Sequence, residues 1–217
     1  MPTSPAPLAE RSLPLRERKK LRARRELVET ALRLFLDRGF DETTLNDLTE
    51  AADVSLRTFF RMFPSKEAVA LAAESELWDA YLEQFARYDI DGTVLDALRD
   101  TLVTTIANMG EDWTRRFLAT RGLVARTPAL RDHSDLTSIT VQRRLVEILE
   151  TKLDTDSRTD VRLRQLGEIA LASWRCAAKN WIRDNPGPRG GKAKVARLAR
   201  EVREAFDAIP ACITLRP

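Results

Sequence analysis

The sequence predicts an all-α fold of about nine helices. Across residues 15–185 only two prolines occur, Pro64 and Pro128, so long helices are able to form. No Val/Ile/Thr-rich stretch keeps the period-two alternation that is typical of a β-strand. Apolar residues instead recur at helical spacing, which in the first helix gives Leu27, Ala31, Leu34 and Phe35.

The first part of the chain predicts a long helix and then a short one. The long helix covers residues 16–38, and Gly39 follows at the position of a left-handed C-terminal cap. The pair Thr43 and Thr44 offers an N-cap to the short helix. Asp47 lies three residues beyond Thr44, where an acidic side chain suits a helix N-terminus.

A tight turn at Asp53 predicts a second short helix behind the first. Asp accepts the positive φ of such a turn, although less easily than Gly. Ser55 is the candidate N-cap of the second short helix, and Pro64 ends it. Ser65 then caps one long helix over residues 66–86. Five more helices are predicted near residues 93–109, 111–126, 128–153, 158–184 and 192–208.

Composition and helix pattern divide the chain into three parts. Of the 217 residues 43% are hydrophobic, which suffices for a sizeable core. Residues 1–14 hold four of the ten prolines and are predicted to form a disordered arm. Residues 15–66 are predicted to form a three-helix domain, and residues 67–217 a larger helical domain.

The sequence predicts a cytoplasmic protein with no membrane partner. No stretch approaches the roughly 20 consecutive apolar residues that span a bilayer, and no signal peptide is recognisable. The two cysteines, Cys176 and Cys212, are isolated, which suits a reducing compartment.

Positive charge is concentrated at the N-terminal end. Residues 1–25 carry eight basic and two acidic side chains, a net charge of +6, whereas the whole chain carries +3. A basic cluster beside a body of negative net charge indicates a polyanionic partner. A solvated basic tail is the alternative. Nonspecific attraction to phosphates is the expected role of Arg16, Lys19, Lys20 and Arg22.

Two short helices joined by a tight turn, behind a longer basic helix, predict a DNA-binding helix-turn-helix at residues 45–62. Its small core is expected to consist of Leu48, Ala52, Val54 and Phe59. The second short helix then exposes Arg57, Thr58, Phe60 and Arg61. Arginine reaches guanine edges or phosphates, and threonine meets a phosphate or a thymine methyl group.

The same residues resemble the TetR family of transcriptional repressors. The run V54-SLRTFFRMFPSK-E67 looks like that family's recognition-helix signature, and L34-FLDRGFDETTLND-L48 looks like the lead-in to it. The combined pattern spans residues 20–70, about a third of the chain. The Arg-Thr-Phe-Phe-Arg variant at residues 57–61 is similar to one seen in many actinobacterial members.

The resemblance implies a role for each matching position. Thr44 would bond an operator phosphate, and Lys66 would clamp the DNA backbone at the start of the next helix; a helix N-terminus favours an anion at both places. The residues implied to face DNA are Ser55, Arg57, Thr58, Phe60 and Arg61.

Three positions depart from the family pattern. Thr49 stands where Ala or Gly is usual, Asp53 replaces the usual turn glycine, and Phe60 replaces a frequent Tyr. Phe60 lacks the hydroxyl that bonds phosphate, so either it makes apolar contact with DNA or it turns inward.

A dimer is expected because one short helix touches only a few base pairs and specificity needs two half-sites. The last two helices carry two candidate interface stripes, which the resemblance implies would pair as a four-helix bundle. The alternative is that both stripes serve only the core of a single chain. The stripes are Leu166, Ala170, Ser173, Trp174, Ala177 and Trp181, and Val195, Leu198, Val202, Ala205 and Ile209.

The resemblance also implies a small-molecule effector that binds among the middle helices and releases the repressor from a palindromic operator. The helix at 66–86 would act as a rigid lever between effector site and DNA-reading helix. Aromatic side chains with a rare polar group suit such a pocket, although they equally suit an ordinary core. The candidate pocket residues are Trp78, Tyr81, Trp113, Phe117, Arg121 and Trp174.

No enzymatic activity and no cofactor are expected. His133 is the only histidine, and the sequence has no metal-binding Cys/His spacing, phosphate-binding glycine loop or nucleophile elbow. A DNA-binding activator, or a DNA-binding protein that needs no effector, is the alternative function. A protein-interaction scaffold with a vestigial DNA-binding domain is a further one.

Overall fold

The computed structural model describes residues 14–184 and 191–216. The predicted arm, apart from Pro14, and most of the predicted loop 185–191 therefore lie outside the described residues. Regular structure within these two ranges is entirely helical. The helices are α1 Leu15–Arg38, α2 Leu45–Ala51, α3 Leu56–Met62, α4 Lys66–Ala70, α5 Ala72–Arg87, α6 Val94–Asn108, α7 Glu111–Val124, α8 Pro128–Leu153, α9 Val161–Arg183, α10 Lys192–Asp207 and α11 Ile209–Ile213.

The all-α prediction is confirmed, and so is the approximate helix count. Only one residue separates α4 from α5 and α10 from α11, so nine helices result if each of these pairs is taken as one. Among the described residues no helix is both long and apolar enough to span a membrane. The described residues divide into two compact units between Ala70 and Leu71, here called the N-terminal and C-terminal units.

The N-terminal unit consists of α1–α4 around a small apolar core. Helix α1 buries one face, and α2, α3 and α4 each bury at least one apolar side chain. Aromatic rings close the core, with Phe35 and Phe40 centred 5.0 Å apart and Phe59 and Phe63 centred 6.3 Å apart. Of the four predicted core residues, Leu48 and Phe59 are fully buried, whereas Ala52 and Val54 are half-buried.

Gly39 ends α1 with positive φ, but its cap differs from the predicted one. Its φ of 97° and ψ of 153° lie outside the left-handed helical region, in an extended positive-φ region that is essentially restricted to glycine. The chain therefore leaves α1 extended. Thr43 is fully buried and donates its hydroxyl to the Gly39 carbonyl oxygen at 2.7 Å, so Thr44 alone is the N-cap of α2.

The helix predicted as one rod over residues 66–86 is interrupted at Leu71, and the single-rod prediction is wrong. Leu71 has φ −97° and ψ 12°, and its carbonyl oxygen accepts the N–H groups of both Glu74 and Ser75. Neither proline nor glycine marks the break in the sequence. The interruption falls at the division between the two units.

The C-terminal unit encloses the larger core, to which α5–α10 all contribute. Helix α10 packs against α6 and α9, and α9 also packs against α8. Gly167 permits the close approach of α8, because a Cβ atom there would lie 3.0 Å from Cγ2 of Val146.

The two predicted dimer stripes lie inside this core. Most of their side chains are buried within the single chain, including Trp181 and Leu198 at 0% exposure, and Leu166, Ala205 and Ile209 are half-buried and packed against the core. The stripes therefore serve the core of the monomer, and their assignment as the dimer interface is corrected here. The physical reason is that α9 and α10 need these apolar faces to pack against each other and against α6.

Candidate nucleic-acid interface and effector site

The turn between α2 and α3 has the geometry that the sequence predicts. Asp53 adopts a φ of 51°, and the N–H of Val54 bonds back to the Thr49 carbonyl oxygen at 3.0 Å. Thr49 is buried, and its hydroxyl donates to the Asn46 carbonyl oxygen at 3.1 Å. The hydroxyl therefore has a partner, and a residue larger than the usual Ala or Gly is accommodated at this position.

Helix α3 separates a buried face from an exposed one. Phe59 is fully buried, whereas the neighbouring Phe60 is 52% exposed and meets it edge-on. Of the two possibilities for Phe60, the structure places the ring outward. Arg57 and Arg61 are also exposed. A cationic and aromatic surface thus covers the outer side of this helix.

Ser55 caps α3 and holds Thr58 beside it. The Ser55 hydroxyl oxygen accepts the N–H of Thr58 at 3.1 Å, and the two hydroxyl oxygens lie 3.1 Å apart. Ser55 is exposed and Thr58 half-buried. The pair fixes the first turn of the helix, which is the part that a groove-reading helix presents to base edges.

Thr44 and Asp47 form a reciprocal capping box at the start of α2. The Thr44 N–H donates to the Asp47 carboxylate at 2.8 Å, and the Asp47 N–H donates to the Thr44 hydroxyl at 3.1 Å. Hydrogen bonds from the Thr44 side chain and backbone, together with the nearby Arg38, lower the pKa of the Asp47 carboxyl. Thr44 itself remains exposed.

Lys66, at the first position of α4, is turned toward the loop after α1. Its ammonium donates to the carbonyl oxygens of Phe40 at 2.8 Å and Thr43 at 3.0 Å, and lies 4.2 Å from the centre of the Phe40 ring. Two of its three N–H donors are therefore engaged within the chain.

Arg24 makes a comparable contact that sequence reasoning missed. Its guanidinium donates to the Met62 carbonyl oxygen at the end of α3 and lies 3.8 Å from the centre of the Phe63 ring. The sequence shows Arg24 only as one member of the basic cluster. No local pattern links it to residues almost 40 positions away, so only the folded unit reveals the contact.

Comparison with known proteins establishes the family. Residues 27–73 match the family model described as bacterial regulatory proteins, tetR family. The HTH-type transcriptional regulator TcmR of Streptomyces glaucescens is 32% identical over 173 residues, which cover 77% of this chain and 76% of TcmR. The chain belongs to the TetR family. It is a DNA-binding transcriptional regulator of the helix-turn-helix class.

Solved TetR-family structures share the fold. The repressor FadR of Thermus thermophilus, crystallised with lauroyl-CoA, is 24% identical with a TM-score of 0.52, over 89% of this chain and 96% of FadR. GusR of Salmonella enterica is 19% identical with a TM-score of 0.51, over 90% of this chain and 97% of GusR.

The residues predicted to line an effector pocket lie together in the C-terminal unit of this TetR-family regulator. The five aromatic side chains, Trp78, Tyr81, Trp113, Phe117 and Trp174, are all buried, and each contacts another of the set. The sixth residue, Arg121, is half-buried. Two cavities in the same unit have other linings.

One cavity, of about 400 Å³, lies between α5 and α8; the other, of about 450 Å³, lies along α5. The first is lined by Leu82, Ala86, Arg144, Glu147, Ile148, Thr151 and Lys152. The second is lined by Ala80, Glu83, Gln84, Arg87 and Tyr88.

Proposed function

We propose that this regulator is a ligand-released repressor that reads operator DNA with α3. The observation that carries the proposal is the division of α3 into a buried Phe59 and an exposed surface of Arg57, Phe60 and Arg61. Residues 15–66 would supply the DNA-binding domain, and residues 67–217 the effector-binding and dimerisation domain.

Each exposed side chain would take one kind of DNA contact. Arg57 and Arg61 have the fork of donors that meets guanine or phosphate oxygens, while Ser55 and Thr58 provide hydroxyls at the first turn. Phe60 would make apolar contact with sugar or a thymine methyl group.

The two residues outside α3 would bind the DNA backbone. Thr44 would approach a phosphate at the N-terminus of α2, where unpaired N–H groups favour an anion. Lys66 would offer its third N–H to another phosphate, since its first two bond the loop carbonyls of Phe40 and Thr43.

The proposed homodimer would pair the outer faces of the last two long helices, because their inner faces pack within the chain. On α9 the outer face carries the small, exposed residues Ala172 and Cys176, and on α10 it carries Ala193 and Ala196. Small side chains allow the helices of a four-helix bundle to approach closely. Two subunits would then present two α3 helices to the half-sites of a palindrome.

A small-molecule effector would release the repressor by favouring a conformation that binds DNA poorly. FadR, which shares the fold, holds lauroyl-CoA. That likeness supports an effector for this chain but does not identify it. Thermodynamic linkage requires the effector to bind free protein more tightly than DNA-bound protein, and equal affinities would overturn effector release.

A gel-shift titration against the intergenic DNA beside the gene tests the DNA-binding role. The double variant Arg57→Ala/Thr58→Ala should lose specific binding. Arg33→Ala, which removes an exposed charge from α1 of the same unit, serves as the matched control and should bind as wild type. Equal affinity of wild type and double variant for all DNA sequences would contradict the proposal.

Promoter assays in the presence and absence of the regulator separate repression from activation. A DNA-binding activator, or a protein that needs no effector, would bind the same operator but would raise transcription or ignore every ligand. Loss of repression on deletion of the gene is the result expected here.

Thiol labelling tests the dimer surface. Cys176 and Cys212 are both exposed in the single chain. In a Cys212→Ser variant, maleimide should modify Cys176 more slowly as protein concentration rises through the dimerisation range. In the matched Cys176→Ser variant, Cys212 should react at a constant rate, and a constant rate for both would place the interface elsewhere.

A further inference from the structure

A buried polar cluster lies beside the aromatic side chains of the C-terminal unit. Glu74 on α5, only 4% exposed, accepts hydrogen bonds from Ser134 on α8 at 2.8 and 3.1 Å. Arg121 on α7 donates to the same carboxylate at 3.3 Å. Burial raises the pKa of the Glu74 carboxyl, and the positive charge of Arg121 opposes that rise.

Two hydrogen-bond donors next to this carboxylate lack an acceptor. Nε1 of Trp78 and Nε of Arg121 are both buried and have no hydrogen-bond partner in the described part of the chain. The Trp78 N–H lies near enough to Glu74 to favour its charged form without forming a hydrogen bond. Buried donors are normally satisfied, so two orphans at one place indicate an acceptor that the chain itself does not supply.

Trp113 provides the contrast within the same cluster. Its indole N–H donates to the Ala73 carbonyl oxygen at 2.7 Å and is therefore satisfied. The orphaned N–H of Trp78 is thus not a general property of the buried indoles in this core.

The surrounding surface is flat and aromatic. Trp113 and Phe117 stack with ring centres 4.9 Å apart and planes 17° apart. Trp174 meets Phe117 at 5.8 Å and Trp78 at 5.4 Å. Such rings bind a planar aromatic molecule by stacking and by edge-to-face contact.

The charges of the site select an uncharged ligand. Glu74 and Arg121 neutralise each other, so an ionic ligand would bring an uncompensated charge into the low-dielectric interior, which is strongly unfavourable. A neutral ligand with an oxygen acceptor would satisfy the orphan donors without that penalty. Entry beside Arg121 is plausible in geometry, because its side chain is 28% exposed while that of Glu74 is 5% exposed.

We propose that the site between Trp78 and Arg121 binds an uncharged, planar aromatic molecule whose carbonyl or ether oxygen accepts the two orphan N–H groups. The proposal rests on the effector role proposed above and names its ligand class. The aromatic side chains, which contact one another here, would separate to admit the ligand.

Paired probes that differ in one oxygen test this inference. 9-Fluorenone and fluorene share a planar three-ring skeleton, but only fluorenone has a carbonyl acceptor. Titration of the full chain, followed by quenching of tryptophan fluorescence, should show fluorenone binding about tenfold more tightly than fluorene, as expected for one or two buried hydrogen bonds. Fluorenone-4-carboxylate and 9-aminofluorene, which carry a negative and a positive charge, should bind more weakly than fluorenone.

Two indole-to-phenyl variants assign the preference to a residue. Trp78→Phe keeps an aromatic ring but removes the orphan donor, so the fluorenone preference should fall severalfold. Trp113→Phe removes an indole N–H that already has an acceptor, so the preference should persist. Circular dichroism of both variants verifies that they fold.

Several outcomes overturn the inference. These are equal binding of fluorenone and fluorene, tighter binding of a charged probe, an unchanged preference in Trp78→Phe, or no binding of any probe. Operator release by fluorenone is measured separately in the gel shift. Binding with the predicted preference but without release would leave the site intact and contradict only the proposed effector function.

Discussion

The ammonium nitrogen of Lys66 lies 2.8 Å from the carbonyl oxygen of Phe40, across the loop that joins α1 to α2. The same nitrogen reaches the Thr43 carbonyl oxygen, the residue directly before the N-cap Thr44. A cation at the start of α4 thereby positions the N-terminus of α2. Lys66 is expected to act on DNA in two ways, through a phosphate contact and through this loop.

Lys66→Gln should separate the two roles. Loss of a phosphate contact should reduce the slope of log K against log salt by about 0.9, since each neutralised phosphate contributes about that much. Loss of the carbonyl contacts should lower the free energy of unfolding by about 1–2 kcal/mol. A salt slope equal to that of wild type would leave Lys66 only its structural role.

Gly39 and Asp53 both have positive φ, and opposite results are expected on substitution. Gly39→Ala should destabilise the chain by about 1–3 kcal/mol, because its φ of 97° and ψ of 153° suit only glycine. No atom lies within 4 Å of the added Cβ, so the effect is torsional rather than steric crowding by neighbours. Urea unfolding measures it.

Asp53→Gly should leave stability within about 0.5 kcal/mol of wild type or raise it. Relief of the positive φ at Asp53 offsets the greater freedom of glycine in the unfolded chain. Asp53→Ala is the comparison, and it should cost about 1 kcal/mol because Ala tolerates this φ less well. Equal stability of the Gly and Ala variants would show that the turn is not torsionally strained.

The capping box at Thr44 predicts a pH dependence of stability. The pKa of Asp47 is lower in the folded chain than in the unfolded chain, chiefly through the Thr44 side-chain hydrogen bond. Its contribution is therefore fully present above the unfolded pKa of about 4 and is lost as pH falls through the folded value. Thermal unfolding between pH 7 and pH 3 should show the loss.

Asp47→Asn should unfold at a lower temperature than wild type at pH 7, and the difference should shrink at pH 3. The variant cannot gain a charge, so it lacks this part of the pH dependence. A constant difference across the range would contradict the role assigned to the Asp47 carboxylate.

The ion pair of Arg116 with Glu76 should stabilise the C-terminal unit measurably. Arg116 is 5% exposed and forms two hydrogen bonds of 2.8 Å with the Glu76 carboxylate, joining α7 to α5. Arg116→Met should cost about 1–3 kcal/mol, less than for a fully buried pair because Glu76 is partly hydrated. A double-mutant cycle with Glu76→Gln measures the coupling.

The neighbouring pair of Arg115 and Asp112 is the control. Both side chains are largely exposed, at 43% and 56%, so a cycle there should give a coupling below about 0.5 kcal/mol. Similar coupling energies for the two pairs would show that burial does not distinguish them.

The sequence by itself determined the helical class, the helix-turn-helix and most helix ends, because these depend on neighbours a few residues apart. Periodic apolar residues set the helices, Thr44 and Ser55 capped α2 and α3 as expected, and Asp53 supplied the positive φ of the turn. The DNA-facing role of the α3 residues stays a prediction, although the structure exposes Phe60 as one of the two alternatives required.

Only the tertiary structure decided which partner each long-range side chain meets. An apolar stripe has the same period whether it packs within one chain or against a second, so the stripes of α9 and α10 were assigned to the core only by their burial. The break at Leu71 has no local signal. The contacts of Lys66 with Phe40, and of Glu74 with Ser134 and Arg121, join residues far apart in the chain, and chain folding rather than local propensity brings them together.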